Sequence, residues 1–200
     1  MDSWQKVDME IKHFSNPRKM PTSYADQFSN LLAKSFTNDR LMCRTIGDAK
    51  WKQVAQKYFR IQINYSDIVI FAAKNQAPIG VSFLRSPQSE MHLSTDLYFQ
   101  LRTALLLGIR FKQLAKISLE IANQIPNKPH WYINQLAVHP DFRSLGIASK
   151  LLAEILKLKR KEDVIVDCEK SLCPLYEKFG FDEIQSFRDR GLSLMINRSN

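Results

Sequence analysis

The stretch whose reading decides the fold is LAVHPDFRSLGIASKLL, Leu136 to Leu152. It follows WYIN, so that WYINQLAV (131–138) reads as an apolar-rich strand closed by His139-Pro140. A helix is predicted from about Leu145 to Arg160, with Leu145, Ala148, Leu151, Leu152, Ile155 and Leu156 as its apolar stripe. The small residue Gly146 lets a ligand approach the backbone at the helix start. The first-turn N–H groups of a helix have no internal acceptors, and the helix dipole adds partial positive charge there. Such a terminus suits a pyrophosphate. The stretch is neither a P-loop, since GxxxxGK[ST] is absent, nor a dinucleotide fingerprint, which needs GxGxxG. The plain alternative is an ordinary strand-to-helix connection in which Gly146 is a packing choice.

Working outward, DVIVDCE (163–169) is a short apolar strand. Pro174 suits the first turn of a helix covering LYEKF, and Gly180 supplies its left-handed end. FDEIQSF and GLSLMIN follow as two strands, with a turn near Asp189-Arg190-Gly191. On the other side, Val7 to His13 alternates as a half-buried strand. A helix starts near Ser23 with Asp26 as its capping partner, carries Tyr24, Phe28, Leu31, Leu32 and Phe36, and breaks at Asn38-Asp39-Arg40. A second helix, N-capped by Asp48, runs to Ile63 and buries Trp51, Val54, Ala55, Tyr58 and Phe59. DIVIFAA (67–73) and PIGVSFLR (78–85) form a hairpin around NQAP. Residues 94–125 are helical in pattern, with apolar positions at Leu97, Leu101, Leu105, Phe111, Leu114, Ile117, Ile121 and Ile125. Gly108 divides or kinks that stretch. The expected class is α/β: a mixed sheet with helices on both faces. Residues 1–200 form one domain, with a helical insert at about 86–128.

Composition agrees with one folded unit. The 200 residues weigh 23.2 kDa and are 44% hydrophobic, which excludes a disordered chain. The three cysteines, Cys43, Cys168 and Cys173, are an odd count with no secretory signal before them, so a cytoplasmic, reducing location is expected. No apolar run reaches the roughly 18 residues of a membrane span. Lys and Arg outnumber Asp and Glu by 29 to 20, a net charge of +9 that favours anionic partners. The one tight basic run, KLKRKED (157–163), ends in two acids, and no nucleic-acid motif accompanies it. Nucleic acid is therefore not the expected partner. Cys168 and Cys173 lack a histidine pair, so no metal site is expected.

Two segments together resemble the GCN5-related N-acetyltransferases, the GNAT superfamily. Arg143, Gly146 and Ala148 match its [Gln/Arg]-x-x-Gly-x-[Gly/Ala] motif, placed after a strand ending in LAV-x-P. LYEKFGF (175–181) resembles the family's C-terminal Tyr-x-x-x-Gly-Phe signature. The order of preceding elements is similar too, leaving only the insert outside the likeness. The resemblance implies an acyl-CoA N-acyltransferase fold with a helical insert between the third and fourth strands. It also implies acetyl transfer from acetyl-CoA to a primary amine, without a metal, by direct transfer in a ternary complex. Backbone groups of Leu136, Ala137 and Val138 would bond the pantetheine arm, in a slot left where this strand splays from the next. The pyrophosphate would lie on the N–H groups of Arg143, Ser144, Leu145, Gly146, Ile147 and Ala148, with Ser149 adding a hydroxyl. Tyr176 matches the tyrosine that gives a proton to the departing thiolate; otherwise it is a half-buried aromatic.

The match departs from the family at Leu172, where many relatives carry an asparagine that contacts pantetheine or substrate. The base that deprotonates the acceptor is left among Glu90, His92, His130, Asn38 and Asp39. His139 reads as structural. HWYIN (130–134) resembles the small-molecule, puromycin-resistance branch, which implies a small amine as acceptor. Tyr98, Phe99, Leu107 and Phe111 of the insert could line a pocket or lid, or pack on the sheet or on a partner subunit as a homodimer. Protein or peptide acetylation and a non-catalytic CoA-binding module stay open as alternatives. Arg143, Lys150 and Lys178 give part of the positive charge a local use beside a phosphorylated cofactor.

Overall fold

The apolar patterning resolves into one seven-stranded sheet of order β1-β2-β3-β4-β5-β7-β6. The computed structural model describes residues 9–88, 93–159 and 161–199. Its strands are β1 (Glu10–Phe14), β2 (Ile68–Lys74), β3 (Ala77–Arg85), β4 (His130–Val138), β5 (Asp163–Glu169), β6 (Asp182–Phe187) and β7 (Leu192–Asn197). Its helices are α1 (Thr22–Ser35), α2 (Arg40–Ile46), α3 (Asp48–Ile63), α4 (Leu93–Leu107), α5 (Phe111–Ala122), α6 (Ile147–Leu158) and α7 (Cys173–Glu177). Every neighbouring pair in the sheet is antiparallel except β4 and β5. That parallel pair follows from α6, which carries the chain back across the sheet.

Both faces of the sheet are covered. Phe28, Leu32, Trp51 and Phe59 from α1 and α3 pack on Val69, Phe71, Val81 and Phe83. On the opposite face Ile147, Leu151, Leu152 and Ile155 of α6 cover Ile70, Ala72, Leu84, Ile133, Val164 and Val166. A third cluster seats Ile117 and Ile121 of α5 on Ile165, Leu194 and Ile196. Each of the larger side chains contributes roughly 1.5–3 kcal/mol by leaving water. Trp51 also donates its indole N–H to the Phe36 carbonyl at 2.7 Å, which fixes the end of α1 against α3.

Several boundaries differ from expectation. Ser23 and Asp26 do not cap α1; the turn before it is made by Pro21, whose carbonyl accepts from Tyr24 and Ala25. Asp39 does not merely end a helix but starts α2, which the sequence pattern hid: its carboxylate accepts from the Met42 N–H at 2.8 Å. Asp48 is the first residue of α3, and Gly47 takes the cap position at φ +92°. The expected first strand keeps residues 10–13, while Val7 and Asp8 lie outside the described residues. α6 begins at Ile147, two residues late, and Leu145 is exposed rather than in its stripe.

The insert divides at Gly108, φ +60°, as expected, but its first helix buries another face. Thr103 and Leu107 point inward, while Leu97, Leu101, Leu105 and Ile109 are exposed. α4 is apolar around most of its circumference, so periodicity could not choose its inner side. No helix among the described residues is long and apolar enough to cross a membrane.

Candidate active site

The parallel pairing of β4 with β5 runs only from His130 opposite Asp163 to Ile133 opposite Val166. Beyond that point β5 continues on β7 and β4 continues on β3, and the two strands part. A bulge sits at the split: Gln135 faces Phe83 and Ile133 faces Leu84, leaving Asn134 with no opposite residue on β3. A bulge of this kind bends a strand and re-aims its side chains. Here Ile133 packs with α6, while Ala137, four residues on, packs with α1 and α3. The edge of β4 that faces β5 from Asn134 to Val138, including Leu136 and Ala137, has no strand partner among the described residues. The Asn134 Nδ2 is buried there without a hydrogen-bond partner among them. Such groups need an acceptor from water or from a bound molecule.

The loop after β4 closes one end of this slot. The Ser35 hydroxyl donates to the Val138 carbonyl at 3.0 Å, and Arg143 Nη2 donates to the Ser35 carbonyl at 3.0 Å. The His139 N–H donates to Ile79 at 2.8 Å, which holds the loop to β3. Ser144 at φ +62° and Gly146 at φ +74° are both left-handed and turn the chain sharply into α6. The Lys150 N–H reaches the Gly146 carbonyl at 3.0 Å as the first helical bond. The N–H groups of Ile147, Ala148 and Ser149 therefore lack helical acceptors, and no side chain of Gly146 caps them. A Cβ on Gly146 would meet nothing within 4 Å, so this glycine serves conformation and open approach, not packing. Packing falls to a glycine the sequence did not flag. A Cβ on Gly80 of β3 would lie 2.7 Å from Ile147 Cγ2, so Gly80 is what lets α6 sit with its start beside the slot.

The face of the split turned toward α1–α3 is built from side chains. Asp167 is the first β5 residue past the last paired one, and the Tyr132 hydroxyl donates to its Oδ1. Burial pushes the Asp167 carboxyl up despite that bond. Burial, and next the Asp167 charge, push the Tyr132 phenol well up. Asp39, before α2, is also raised by burial, and the charges of Glu169 and Asp167 add to the effect. Tyr58 on α3 is pushed up to about 12 by burial, with Asp167 and Asp39 contributing. Two carboxyls poised above their ordinary range and two neutral phenols thus share one electrostatic neighbourhood.

Tyr176 lies on the α6 side, 3% exposed, with its ring edge-on to Phe181 at 5.5 Å. Burial pushes its phenol far up, and the neighbouring Cys168, Asp167 and Cys173 push the same way. It therefore holds its proton at neutral pH and has an O–H to donate. The candidate cofactor residues Leu136–Val138 and Arg143–Ser149 come together on β4 and its loop, and Tyr176 comes from the β5 side. Of the candidate bases, Asp39 joins the site. His130 sits at the paired end of β4 with Nδ1 2.8 Å from the Lys128 carbonyl. Asn38 is exposed, and Glu90 and His92 lie outside the described residues. Leu172, exposed, precedes α7 and offers no polar contact. Asp167, Tyr132 and Asn134 went unmarked in the sequence. Their only signal is a polar residue inside DVIVDCE and the aromatic-polar mix of HWYIN. Among the described residues no group of side chains suits a metal.

The sequence matches the Acetyltransferase (GNAT) family over residues 41–181, most of the chain. No curated protein of detectable sequence similarity is found. Solved structures share the fold at low identity. One described as histone acetyltransferase HPA2 and related acetyltransferase, from Corynebacterium glutamicum, is 18% identical with a TM-score of 0.66, covering 95% of this chain and 97% of its own. Arylalkylamine N-acetyltransferase 2 from Aedes aegypti is 15% identical with a TM-score of 0.61, covering 96% and 100%. The PaiA N-acetyltransferase from Thermoplasma acidophilum, solved in complex with coenzyme A, is 11% identical with a TM-score of 0.58, covering 96% and 99%. These neighbours do not single out the puromycin-type branch. The split between β4 and β5, the loop that opens α6 and the match over residues 41–181 lead to one conclusion: the chain belongs to the GNAT family of acetyltransferases.

Proposed function

We propose that the protein transfers an acetyl group from acetyl-CoA to the primary amine of a small molecule, directly, with both substrates bound. The observation that carries this reading is the split at Ile133/Val166, which has backbone donors on one side and half-buried carboxyls on the other. Acetyl-CoA supplies the activated thioester. The Arg143 N–H is taken by the Pro140 carbonyl at 3.3 Å, so the N–H groups of Ser144 to Ala148 fit the pyrophosphate, with the Ser149 hydroxyl beside them, and the unpaired edge at Leu136, Ala137 and Val138 fits the pantetheine arm.

The acceptor amine, charged at neutral pH, has to lose a proton before it attacks. Asp167, assisted by Asp39, takes that proton. A carboxyl raised by burial is a stronger base than an exposed one. Tyr132 orients Asp167 through its hydroxyl and leaves the second carboxylate oxygen free for the proton. Tyr176 gives its phenolic proton to the leaving thiolate, which departs as the free thiol. A backbone N–H at the Asn134 bulge polarises the thioester carbonyl.

Calorimetry with acetyl-CoA tests the first half of the reading: binding in the micromolar range is expected, and none at millimolar cofactor overturns it. CoA release with a panel of small amines and lysine peptides tests the second. Turnover confined to peptides would replace the small-molecule acceptor by a protein one.

A further inference from the structure

Beside the carboxyl pair lies a cavity of about 230 Å³ that the acetyl-transfer chemistry does not use. It opens between the start of α2, the end of β5 and the turn joining β6 to β7, and it shares Glu169 and the Arg40–Leu41 segment with the acceptor side. Its walls are arginine-rich: Arg40 and Arg44, one turn apart on α2, and Arg188 and Arg190 on the β6–β7 turn.

Elsewhere Lys12 pairs with Glu10, Lys52 with Asp48, Arg60 with Asp26, Lys128 with Asp163 and Lys157 with Glu154. Within this cavity Lys170 pairs with Glu183, and Arg190 with Glu120 and Asp189. Arg40, Arg44 and Arg188 have no ion-pair partner among the described residues, and Arg190 Nη1 is buried with no hydrogen bond. Like charges gathered in one concavity repel, and a buried guanidinium N–H without an acceptor is costly. An anion set between these arginines removes both penalties, and guanidinium groups match carboxylate and phosphate oxygens in geometry. Leu41 and Leu192 give the cavity an apolar floor over which a short carbon chain can lie.

Taking the acetyltransferase reading as its basis, we infer that the acceptor is a zwitterion: a primary amine carrying a carboxylate or phosphate, whose anionic end is bound by Arg40, Arg44 and Arg188 together with the Nη1 of Arg190. The amine then points along the cavity toward Glu169, Asp39 and Asp167. One small molecule thus spans a basic outer pocket and an acidic inner one. Part of the chain's net charge of +9 is in this way assigned to the acceptor rather than to the cofactor.

Two matched pairs test the inference: 4-aminobutanoate against butylamine, and O-phosphoethanolamine against ethanolamine. At least one anionic member should exceed its neutral partner about tenfold in kcat/KM, and the stronger pair tells carboxylate from phosphate. The double substitution R44Q/R188Q should erase that advantage through KM. Neutral amines equal to or better than both anionic ones, or a preference that survives the double substitution, overturns the inference. A second measurement needs no turnover. With CoA saturating, inorganic phosphate should bind the wild type and bind R44Q/R188Q at least about fivefold more weakly; equal binding overturns the proposal. Failure of acetyl-CoA to bind the wild type would instead remove the acetyltransferase reading. The phosphate titration, run without CoA, would still report on the pocket.

Discussion

On the β4 side of the split, the polar groups offered to a ligand are backbone amides: the unpaired edge from Asn134 to Val138 and the first turn of α6. On the β5 side they are side chains: Asp167 accepts from Tyr132, and its charge reaches Asp39 and Tyr58. The first arrangement depends on conformation and is indifferent to most side chains, provided Gly146 and the close-packed Gly80 stay glycine. The second depends on particular atoms brought from four separate elements. A fixed cofactor can be held by the first kind of site. Discriminating among acceptors, and moving protons, needs the second.

That contrast sets how each side should break. The largest effect is expected at Asp167. Asp167→Asn keeps shape and an oxygen for the Tyr132 hydroxyl but removes the base, so kcat/KM for the amine should fall by about 10²–10⁴. The calorimetric affinity for acetyl-CoA should hold. A loss of less than about threefold would move the proton-accepting role to Asp39. Tyr176→Phe comes next. Steady-state turnover should drop by about 10–10², again with acetyl-CoA affinity nearly unchanged, and an unaltered rate would take Tyr176 out of the mechanism.

On the β4 side, Gly146→Ala forces an L side chain into φ +74°, a cost of roughly 1–2 kcal/mol. Because a Cβ there meets nothing within 4 Å, that cost is conformational, and the loop can relax only by losing its shape. A KM for acetyl-CoA raised about tenfold is expected, with little change in KM for the amine. An equal rise in both would mean that the two sides of the split are not separable.

The same contrast explains what the sequence disclosed. A backbone site leaves a compact trace, since Arg143-x-x-Gly146-x-Ala148 and the strand before it lie together in residues 131–148. The sheet strands were readable for a similar reason: alternation and β-branched runs such as DVIVDCE are local. The acceptor side left no such trace. Asp39 and Asp167 are 128 positions apart and meet only because the α1–α2 connection crosses toward the end of β5. Gly80 looked like any strand residue until α6 was laid over it. α2 was missed because its seven residues are too short for periodicity to register, and its one local signal, the Asp39 cap, looked like a helix stop. α4 failed in the opposite way, being apolar on more than one side.

The smallest effect expected distinguishes the two ends of β5 itself. Asp163, at the paired end, is opposed by burial, but the ammonium of Lys128 and the N–H and hydroxyl of Ser199 outweigh it and hold its carboxyl below the ordinary value. Asp167, at the split, is driven above its ordinary value by burial, and the Tyr132 hydroxyl compensates only in part. A carboxyl lowered on folding releases its proton more readily in the native state. Asp163 therefore adds stability above its unfolded pKa, and that contribution is lost as pH falls through the folded one. A carboxyl raised on folding does the reverse: the native state holds the extra proton between the unfolded and folded pKa values, so stability falls as pH rises through that window. At neutral pH, Asp163→Asn should lower Tm by a few °C, whereas Asp167→Asn should leave it unchanged or raise it. The Asp167→Asn difference should shrink as the pH is taken down toward 4, since protonation makes the raised wild-type carboxyl resemble its amide, whereas the Asp163→Asn difference should persist there because the lowered carboxyl keeps its charge. Thermal melts at several pH values read this directly. If Asp167→Asn lowers Tm at pH 7 as Asp163→Asn does, the carboxylate at the split is stabilised by its surroundings rather than strained by them, and it is not the poised base that acceptor deprotonation requires.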